Sequence, residues 1–299
     1  MLEDFLNNLK NNDFKTIARA ISIVENESAG YDVLLESLPP SNTPVIGITG
    51  PPGAGKSTIT DGLIAQLTQN NKKVCVLCVD PSSPFNLGAV LGDRIRMSQW
   101  YNSENVFIRS LATRGSMGGL NPKILEITSL VQASAFDYII IETVGVGQSE
   151  IEIAGLADVT IVVVVPEAGD EIQTMKAGLM EIADIFVVNK SDRQGADTFV
   201  KNLKMMLAPV FSEHREIPVI KTIASKNEGL QDLKDAILKM LPKENKRKLW
   251  LNTEKAFQLI QKKRMSDLSK DLLASEIEKI KTFNLHRFVK NYIDKKKAD

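Results

Sequence analysis

The sequence predicts an α/β protein with a mostly parallel central sheet, an N-terminal helical extension and a C-terminal helical arm. Two observations support this fold class. Short apolar runs alternate with helical stretches through the middle of the chain, as they do in parallel sheets that carry helices on both faces. Near both ends, apolar residues recur only at helical spacing. We therefore expect three parts, residues 1–40, 41–242 and 243–299.

Each part is predicted from its own pattern. Apolar residues three or four positions apart indicate two or three helices before Pro39 and Pro40. The central strands are predicted as Val45–Thr49, Val74–Val79, Val106–Ser110, Tyr138–Thr143, Thr160–Val165, Ile185–Asn189 and Val219–Thr222. The last part contains no glycine and twice as many basic as acidic residues, and its apolar spacing indicates a helical hairpin or arm.

Composition and charge exclude several classes of function. The 299 residues carry 37 basic and 37 acidic side chains, without the basic excess typical of nucleic-acid-binding proteins. No apolar run approaches the roughly 20 residues of a membrane helix, and the acidic N-terminus is not typical of a signal peptide. Cys75 and Cys78 share one predicted strand, where they would face opposite sides as core residues. We expect a cytoplasmic protein without a membrane or nucleic-acid partner.

A glycine-rich loop predicts binding of nucleotide phosphates. It matches the pattern G-x-x-x-x-G-K-[ST] between a predicted strand and a predicted helix. Its residues are Gly50, Pro51, Pro52, Gly53, Ala54, Gly55, Lys56 and Ser57. Backbone N–H groups of such a loop bind phosphate oxygens together with the helix N-terminus. We expect Lys56 to reach the β- and γ-phosphates from a solvated position and Ser57 to bind Mg²⁺. Thr58, the next residue, is also expected to contact the nucleotide. The fold class thereby narrows to a P-loop NTPase domain.

Two further loops predict a guanine base. Asn189, Lys190 and Asp192 form an N-K-x-D pattern after an apolar strand. The Asp192 carboxylate can accept from the N1–H and the exocyclic amine of guanine, which adenine lacks at that edge, while the Lys190 stem can pack on the base. A second loop loosely resembles the one whose backbone N–H groups contact guanine O6 in GTPases, with alanine and serine transposed. It consists of Ala224, Ser225 and Lys226. Together these loops indicate a G-domain.

Three acidic residues at strand or loop ends are candidate Mg²⁺ ligands, namely Asp80, Asp93 and Glu142. Glu142 ends an apolar strand three residues before Gly145, at the place of the aspartate in the D-x-x-G motif of GTPases. Its longer side chain can still reach the Mg²⁺ shell, directly or through water. Two other interpretations stay open, because Asp80 could cap a turn before Pro81 and Asp93 could cap a helix.

Five further motifs follow the phosphate loop in order. They are V-D-P-S-S (79–83), L-G-D-R-I-R-M (91–97), R-G-x-x-G-G-L (114–120), E-T-V-G-V-G-Q-S-E (142–150) and A-G-D-E-I-Q-x-x-K-A-G (168–178). With these motifs the chain resembles the MeaB/ArgK-type GTPases, the chaperones associated with methylmalonyl-CoA mutase. The resemblance is dense over about residues 40–240 and extends to the two helical ends in layout only.

The resemblance implies a function and a set of partners. It implies a domain that binds and hydrolyses GTP with Mg²⁺, and a homodimer formed by the C-terminal arm. The implied client is an adenosylcobalamin-dependent acyl-CoA mutase, whose cofactor loading the GTPase gates and which it protects. Carried over by position, the Mg²⁺ contacts are Ser57, Asp80, Asp93 and Glu142. The chain alone is expected to bind no cobalamin, because the signature D-x-H-x-x-G is absent.

The catalytic groups are predicted from one departure and one segment. Val146 stands where Ras-like GTPases carry their water-orienting glutamine, so we expect slow intrinsic hydrolysis that a partner stimulates, with Lys56 and Glu142 in the catalytic set. Gln148 lies nearby and is a candidate for the missing glutamine, or else a polar residue at the start of a helix. The segment after the strand Thr160–Val165 combines a glycine, acids, an amide and a lysine. It could be a switch that brings Gln173 or Lys176 to the nucleotide, or a solvated helix start.

Two other functions remain open at this point. A metallochaperone GTPase that delivers nickel or a similar metal would need a Cys/His cluster, whereas this chain has two cysteines and two histidines in scattered positions. A small-molecule kinase would use the phosphate loop but would not need the N-K-x-D pattern. The same pattern argues against ATP, and therefore against an older description of this family as ATPases of arginine and ornithine transport.

Overall fold

The computed structural model describes residues 2–81, 97–114, 120–144, 150–168, 179–207, 217–241, 246–265, 267–280 and 282–296. The chain divides into two compact units, Met1–Leu251 and Asn252–Asp299. The first unit contains the sheet with the helices around it, and the described part of the second is built from helices. None of the described helices combines the length and the apolar character that crossing a membrane requires.

A single parallel sheet of seven strands dominates the described part of the first unit, in the order β3-β2-β4-β1-β5-β6-β7. The strands are β1 Val45–Thr49, β2 Val74–Asp80, β3 Val106–Ala112, β4 Tyr138–Glu142, β5 Val159–Val164, β6 Ile185–Val188 and β7 Val219–Lys221. Strands β1, β2 and β5 are buried throughout, as expected when helices cover both faces of a sheet. The predicted fold class is therefore confirmed, with every predicted strand present.

Helices cover both faces of this sheet. In the described part of the first unit they are α1 Leu2–Lys10, α2 Phe14–Glu25, α3 Tyr31–Glu36, α4 Lys56–Leu67, α5 Ile124–Gln132, α6 Glu150–Leu156, α7 Leu179–Ile182, α8 Ala196–Leu207, α9 Leu230–Met240 and the beginning of α10 Lys246–Arg264. Cys75 packs in the core under α2 and α5, and Cys78 in the core under α4 and α9, so they face opposite sides as predicted. Burial raises the pKa of the Cys75 thiol, which therefore stays protonated.

The N-terminal helices are part of the core of the first unit. Ile17, Ile21 and Val24 of α2 are fully buried at the spacing of one helix face. The ring of Phe14 lies 5.3 Å from that of Phe107 in β3, measured between centroids. Aromatic pairs at such distances stabilise a core beyond the area that they bury. The extension thus closes one face of the sheet.

Arg114, two residues after the end of β3, connects the sheet to the end of α2. Its Nη1 donates to the carbonyl oxygen of Glu25 at 3.0 Å, and its Nη2 donates to Oδ1 of Asn26 at 2.7 Å. A cation at this place suits the negative end of a helix. The preceding amide, Thr113 N, donates to the carbonyl oxygen of Asp80 at 3.1 Å. The N-terminal helices therefore help to fix the ends of β3 and β2.

Two aspartates attach the beginning of α10 to the amino ends of the strands. Asp184 Oδ2 accepts from the backbone N–H of Thr160 at 2.8 Å, and its Oδ1 lies 3.1 Å from Nη2 of Arg247. Asp158 joins the first amide of β1, at 2.8 Å, to Nζ of Lys248, at 3.0 Å. Because each carboxylate serves a strand and a helix at once, the first turn of α10 belongs to the sheet unit.

The second unit contains the rest of α10 and the helices α11 Lys270–Glu278 and α12 Leu285–Lys296. Helix α11 begins at Ser269, whose Oγ accepts from the N–H of Leu272 at 3.1 Å. This unit exposes many large apolar side chains. They include Phe257, Leu259, Ile260, Met265, Leu272, Ile280, Phe283, Leu285, Val289 and Ile293. The predicted arm is helical in its described residues, and its role in dimerisation stays a prediction.

The aspartate that links β5 to α10 yields a stability prediction. Asp184→Ala removes the side-chain acceptor of a buried amide and one of the partners of a partly buried guanidinium, so we expect the free energy of unfolding to fall by about 2–3 kcal/mol. Urea denaturation followed by circular dichroism measures it. The matched control is Asp197→Ala, because the Asp197–Lys221 pair is exposed at the surface and should contribute little to stability. Equal losses in both variants would contradict the anchoring role of Asp184.

Candidate nucleotide site

The candidate site lies at the carboxyl ends of the parallel strands. The phosphate loop follows β1, Glu142 ends β4, Asp80 ends β2, and the N-K-x-D loop follows β6. Since β1 lies between β4 and β5 and all strands run the same way, these loops come together at one edge of the sheet. This edge is where open α/β sheets bind ligands.

Two glycines allow the phosphate loop to pack closely against its neighbours. Gly50 has a φ of 138°, and a Cβ atom there would lie 2.1 Å from the carbonyl oxygen of Val163 in β5. Gly55 has a φ of 92°, and a Cβ atom there would lie 2.3 Å from Nδ2 of Asn189. Both the dihedral angles and the contacts exclude side chains. The loop is thus held against β5 and against the N-K-x-D loop.

The remaining loop residues differ in exposure. Pro51 and Ala54 are buried, whereas Pro52, Gly53 and Thr58 are exposed. The N–H of Ala54 donates to the carbonyl oxygen of Pro51 at 3.3 Å, which closes a turn. The N-terminus of α4 faces the loop, since its first residues are Lys56 and Ser57. The arrangement has the strand, turn and helix N-terminus that a phosphate site requires.

Lys56 differs from the expectation of a solvated side chain. It is 7% exposed, and its Nζ donates to the carbonyl oxygens of Gly50 at 2.9 Å and Pro51 at 3.1 Å. The expectation was wrong because the loop wraps around the first turn of α4 and supplies acceptors for the ammonium group. Lys56 therefore also holds the loop together, and the ammonium group already lies inside the loop that would surround a phosphate.

Glu142 is bound to the helix that follows the phosphate loop. Its carboxylate is 2% exposed, and its Oε1 accepts from Oγ of Ser57 at 2.7 Å. Its Oε2 accepts from Oγ1 of Thr60, also at 2.7 Å. The structure therefore brings two predicted site residues together and adds Thr60, which sequence reasoning missed. A usable signal was its spacing, because residues three apart on a helix share one face.

Asp80 lies at the end of β2, beside Glu142. Residue Cys78, two positions earlier, is the register partner of Glu142, so the two acids end neighbouring strands. Asp80 is 3% exposed and precedes Pro81, an arrangement that fits a candidate metal ligand and equally fits a turn cap. Asp93, the third predicted acid, lies outside the described residues.

The side chain of Asn189 connects three loops. Its Nδ2 donates to the carbonyl oxygen of Ala54 at 2.9 Å, which reaches the phosphate loop. Its Oδ1 accepts from Oγ1 of Thr222 and from the N–H of Ala224, both at 3.1 Å. Asn189 is 3% exposed, so these bonds are protected from water. Thr222 is a second residue that sequence reasoning did not identify.

The side chains expected to meet a base are more exposed than Asn189. Lys190 adopts a left-handed φ of 56°, and its Nζ donates to the carbonyl oxygen of Gly53 at 2.8 Å. The aliphatic stem of Lys190 therefore runs toward the phosphate loop. Asp192 is exposed, while Ser191 between them binds inward, with Oγ donating to the carbonyl oxygen of Val188 at 2.6 Å. The loop thus presents Asp192 to solvent on a backbone fixed from beneath.

The second base loop forms a tight turn. Ala224–Lys226 is one turn of 3₁₀ helix, in which Ala224 is buried while Ser225 and Lys226 are exposed. The turn closes where the N–H of Ile223 donates to the carbonyl oxygen of Glu228 at 3.1 Å. Asn189 holds the first amide of this turn, so the turn and the N-K-x-D loop share one support.

Two of the predicted catalytic residues, Gln173 and Lys176, lie outside the described residues. The turn that precedes them is described up to residue 168. It is linked to the end of the N-K-x-D loop, because Arg193 donates to the Glu167 carboxylate. That hydrogen bond lowers the pKa of Glu167. The chain leading into the predicted switch segment is thereby joined to the loop that carries Asp192.

The donor set at this edge fits Mg²⁺ together with a nucleotide. Ser57, Asp80 and Glu142 offer oxygen atoms, which Mg²⁺ prefers, and Mg²⁺ in nucleotide sites takes only one or two carboxylates beside phosphates and water. Among the described residues there is no group of three or more His, Cys, Asp or Glu side chains that could hold a metal by themselves.

The comparisons with known proteins agree with this geometry. The sequence profile of the family described as methylmalonyl-CoA mutase-associated GTPase MeaB matches residues 17–279. A protein of Pyrococcus abyssi whose name proposes that it is a GTPase is 44% identical over 243 residues, which are 79% of this chain and 75% of that protein. The fused isobutyryl-CoA mutase of Geobacillus kaustophilus is 36% identical over 241 residues, which are 75% of this chain and 22% of that protein.

A solved structure is similar to this chain over nearly its whole length. The crystal structure of a LAO/AO transport system kinase superposes with a TM-score of 0.67 at 26% sequence identity. It covers 98% of this chain, and this chain covers 97% of it. The similarity therefore extends through the sheet and includes the helical parts at both ends.

The exposed carboxylate of the base loop yields a specificity prediction. We expect the wild-type protein to prefer GTP over ATP by a factor on the order of 10⁴, because a site built on hydrogen bonds rejects a base that lacks the donors. Asp192→Asn should weaken GTP binding and favour xanthosine nucleotides, whose C2 carbonyl suits the new amide. Calorimetric titration measures both. Asp235→Asn, an exposed acid of α9, is the control, and equal affinity of the wild type for ATP and GTP would contradict the assignment.

Proposed function

Because this chain belongs to the methylmalonyl-CoA mutase-associated GTPase family MeaB, we propose that it binds and hydrolyses GTP as the chaperone of an adenosylcobalamin-dependent acyl-CoA mutase. The proposed role is to gate the loading of the mutase cofactor and to protect the mutase from inactivation. Family membership and the P-loop fold support GTPase activity in general. The proposal that an acyl-CoA mutase is the client is more specific, and it is supported by a separate observation.

The nucleotide chemistry follows from the loops that meet at the sheet edge. We assign the phosphates to the loop of residues 50–57, where Lys56 would exchange its two carbonyl acceptors for phosphate oxygens. Guanine would be held by Asp192, with Asn189 keeping the supporting loops in place. A bound Mg²⁺ would neutralise charge on the phosphates, held by Ser57 with Asp80 or Glu142 in its shell. The described loops would bind and orient the nucleotide, and the residue directly after Gly145 is Val146 rather than a glutamine.

The observation that carries the mutase client is the relative from Geobacillus kaustophilus. A segment similar to three quarters of this chain is joined there, in one polypeptide, to a protein named as an isobutyryl-CoA mutase. Covalent joining gives two partners a high effective concentration, and it is useful only when the two parts act together. We propose that this chain makes the corresponding association between separate polypeptides.

The mutase proposal is tested by GTP turnover with and without a purified acyl-CoA mutase, either the isobutyryl-CoA or the methylmalonyl-CoA enzyme. We expect the mutase to raise the rate. A positioned catalytic group contributes roughly 10²–10⁴-fold to a rate, so Gln173→Ala or Lys176→Ala should remove most of the stimulation. Lys201→Ala, on the exposed side of α8, is the control. Full stimulation of both variants would leave these residues without the proposed role. A wild-type protein that neither responds to nor binds either mutase would contradict the client.

We also propose that the C-terminal arm forms a homodimer. The second unit exposes Phe257 and Ile260 on α10, at 63% and 53%, together with apolar residues of α11 and α12. So many exposed large apolar side chains in one short unit favour an interface, because large contiguous apolar patches are rare on monomers. A second copy of the chain would bury it symmetrically.

The dimer is tested by sedimentation of the full-length protein. The wild type should sediment as a dimer at micromolar concentration, and the double variant Phe257→Glu/Ile260→Glu should sediment as a monomer, because two charges would enter an apolar contact. Leu238→Glu, which changes an exposed leucine of α9, is the matched control and should remain dimeric. A monomeric wild type would contradict the proposal.

A further inference from the structure

One hydroxyl beside the phosphate loop has no place in the site derived from the family motifs. Thr60 lies one turn into α4, is fully buried, and donates from Oγ1 to Oε2 of Glu142 at 2.7 Å. Ser57, three residues earlier on the same helix face, donates to the other carboxylate oxygen at the same distance. Each oxygen of Glu142 is therefore bound by its own hydroxyl of α4.

We propose that Thr60 is a positioning residue that fixes the Glu142 carboxylate, so that Glu142 in turn orients the Ser57 hydroxyl toward Mg²⁺. The inference rests on the proposed binding of GTP with Mg²⁺ and deepens it. Thr60 itself contacts no nucleotide in this scheme, since its hydroxyl bonds to the carboxylate. It acts only through Glu142 and Ser57.

The need for Thr60 comes from the length of the glutamate side chain. Glutamate has one more rotatable bond than the aspartate of the D-x-x-G motif, and an extra free bond leaves the carboxylate less defined. A second hydrogen bond on Oε2 removes that freedom. Threonine can do this, because it carries a hydroxyl donor on a short side chain that is buried beside the carboxylate. The pair of glutamate and threonine thus does what a shorter acid achieves with fewer contacts.

The direction of the protons decides what Ser57 can do. The Oγ1 of Thr60 also lies 3.0 Å from the carbonyl oxygen of Lys56, but the carboxylate oxygen at 2.7 Å is the closer acceptor for its single proton. With Oε2 held in this way, Oε1 stays beside Ser57 and accepts the serine proton. Because the serine donates its proton to Glu142, its oxygen can act only as an acceptor, which is the role that coordination of a hard cation requires.

The test compares Thr60→Val, which keeps the shape and removes the hydroxyl, with Thr60→Ser, which keeps the hydroxyl. The measurement is the release of a fluorescent GDP analogue from the full-length protein as a function of free Mg²⁺. A hydrogen bond to a charged group is worth roughly tenfold or more in an equilibrium. Thr60→Val should therefore raise, about tenfold, the Mg²⁺ concentration at which the release of the GDP analogue is slowed by half. In EDTA, where no Mg²⁺ is bound, its release rate should differ little from that of the wild type. Thr60→Ser should remain close to the wild type.

A second pair of variants separates positioning from a general loss of packing. If Thr60 acts through Glu142, then adding Thr60→Val to Glu142→Gln should change the Mg²⁺ requirement far less than it does in the wild type. Thermal melting without nucleotide checks that each variant folds. Equal shifts in both backgrounds, or the same shift for valine and serine, would overturn the inference. A wild type that binds no guanine nucleotide would instead contradict the proposed function, so the two failures can be told apart.

Discussion

The buried amide of Asn189 is the interaction on which the nucleotide edge depends. It bonds the phosphate loop through Ala54 and the second base loop through Thr222 and Ala224, in a place that excludes water. An amide can do this because it offers donors and acceptors at once, which neither a carboxylate nor an ammonium group does. Gly55 leaves the room that the amide nitrogen occupies. The loops that would hold the phosphates and the base are therefore fixed relative to one another by the protein's own hydrogen bonds, and such preorganisation lowers the entropic cost of binding.

Much of this architecture can be predicted from the sequence, because its signals are local. The strands are short apolar runs, as a sheet covered by helices on both faces requires. Their predicted bounds differ from the observed ones by at most two residues at either end. The phosphate loop, the N-K-x-D pattern and the opposite faces of Cys75 and Cys78 follow equally from spacing along one segment. Each of these features needs only its neighbours in sequence to be recognised.

The features that could not be predicted depend on residues far apart in the chain. The burial of Lys56 depends on how the loop closes over it, and the role of Thr60 depends on a carboxylate 82 residues away. Asp158 before β5 and Asp184 before β6 cannot be told from ordinary loop acids in the sequence. Only the folded chain shows that Asp158 pairs with Lys248 and Asp184 with Arg247. Side-chain hydrogen bonds of this kind leave no periodic pattern.

The attachment of α10 has a consequence for where the chain tolerates being cut. Arg247, Lys248 and Leu251 all belong to the sheet unit, whose boundary falls after Leu251 within a continuous helix. Proteolysis beyond this boundary would remove the exposed apolar arm and leave the carboxylates of Asp158 and Asp184 neutralised. Proteolysis before Arg247 would instead remove the basic partners of Asp158 and Asp184 and expose the apolar surface that Leu251 covers. The sheet unit therefore extends past the start of α10 at Lys246, because Arg247 and Lys248 attach the first turn of that helix to the strands.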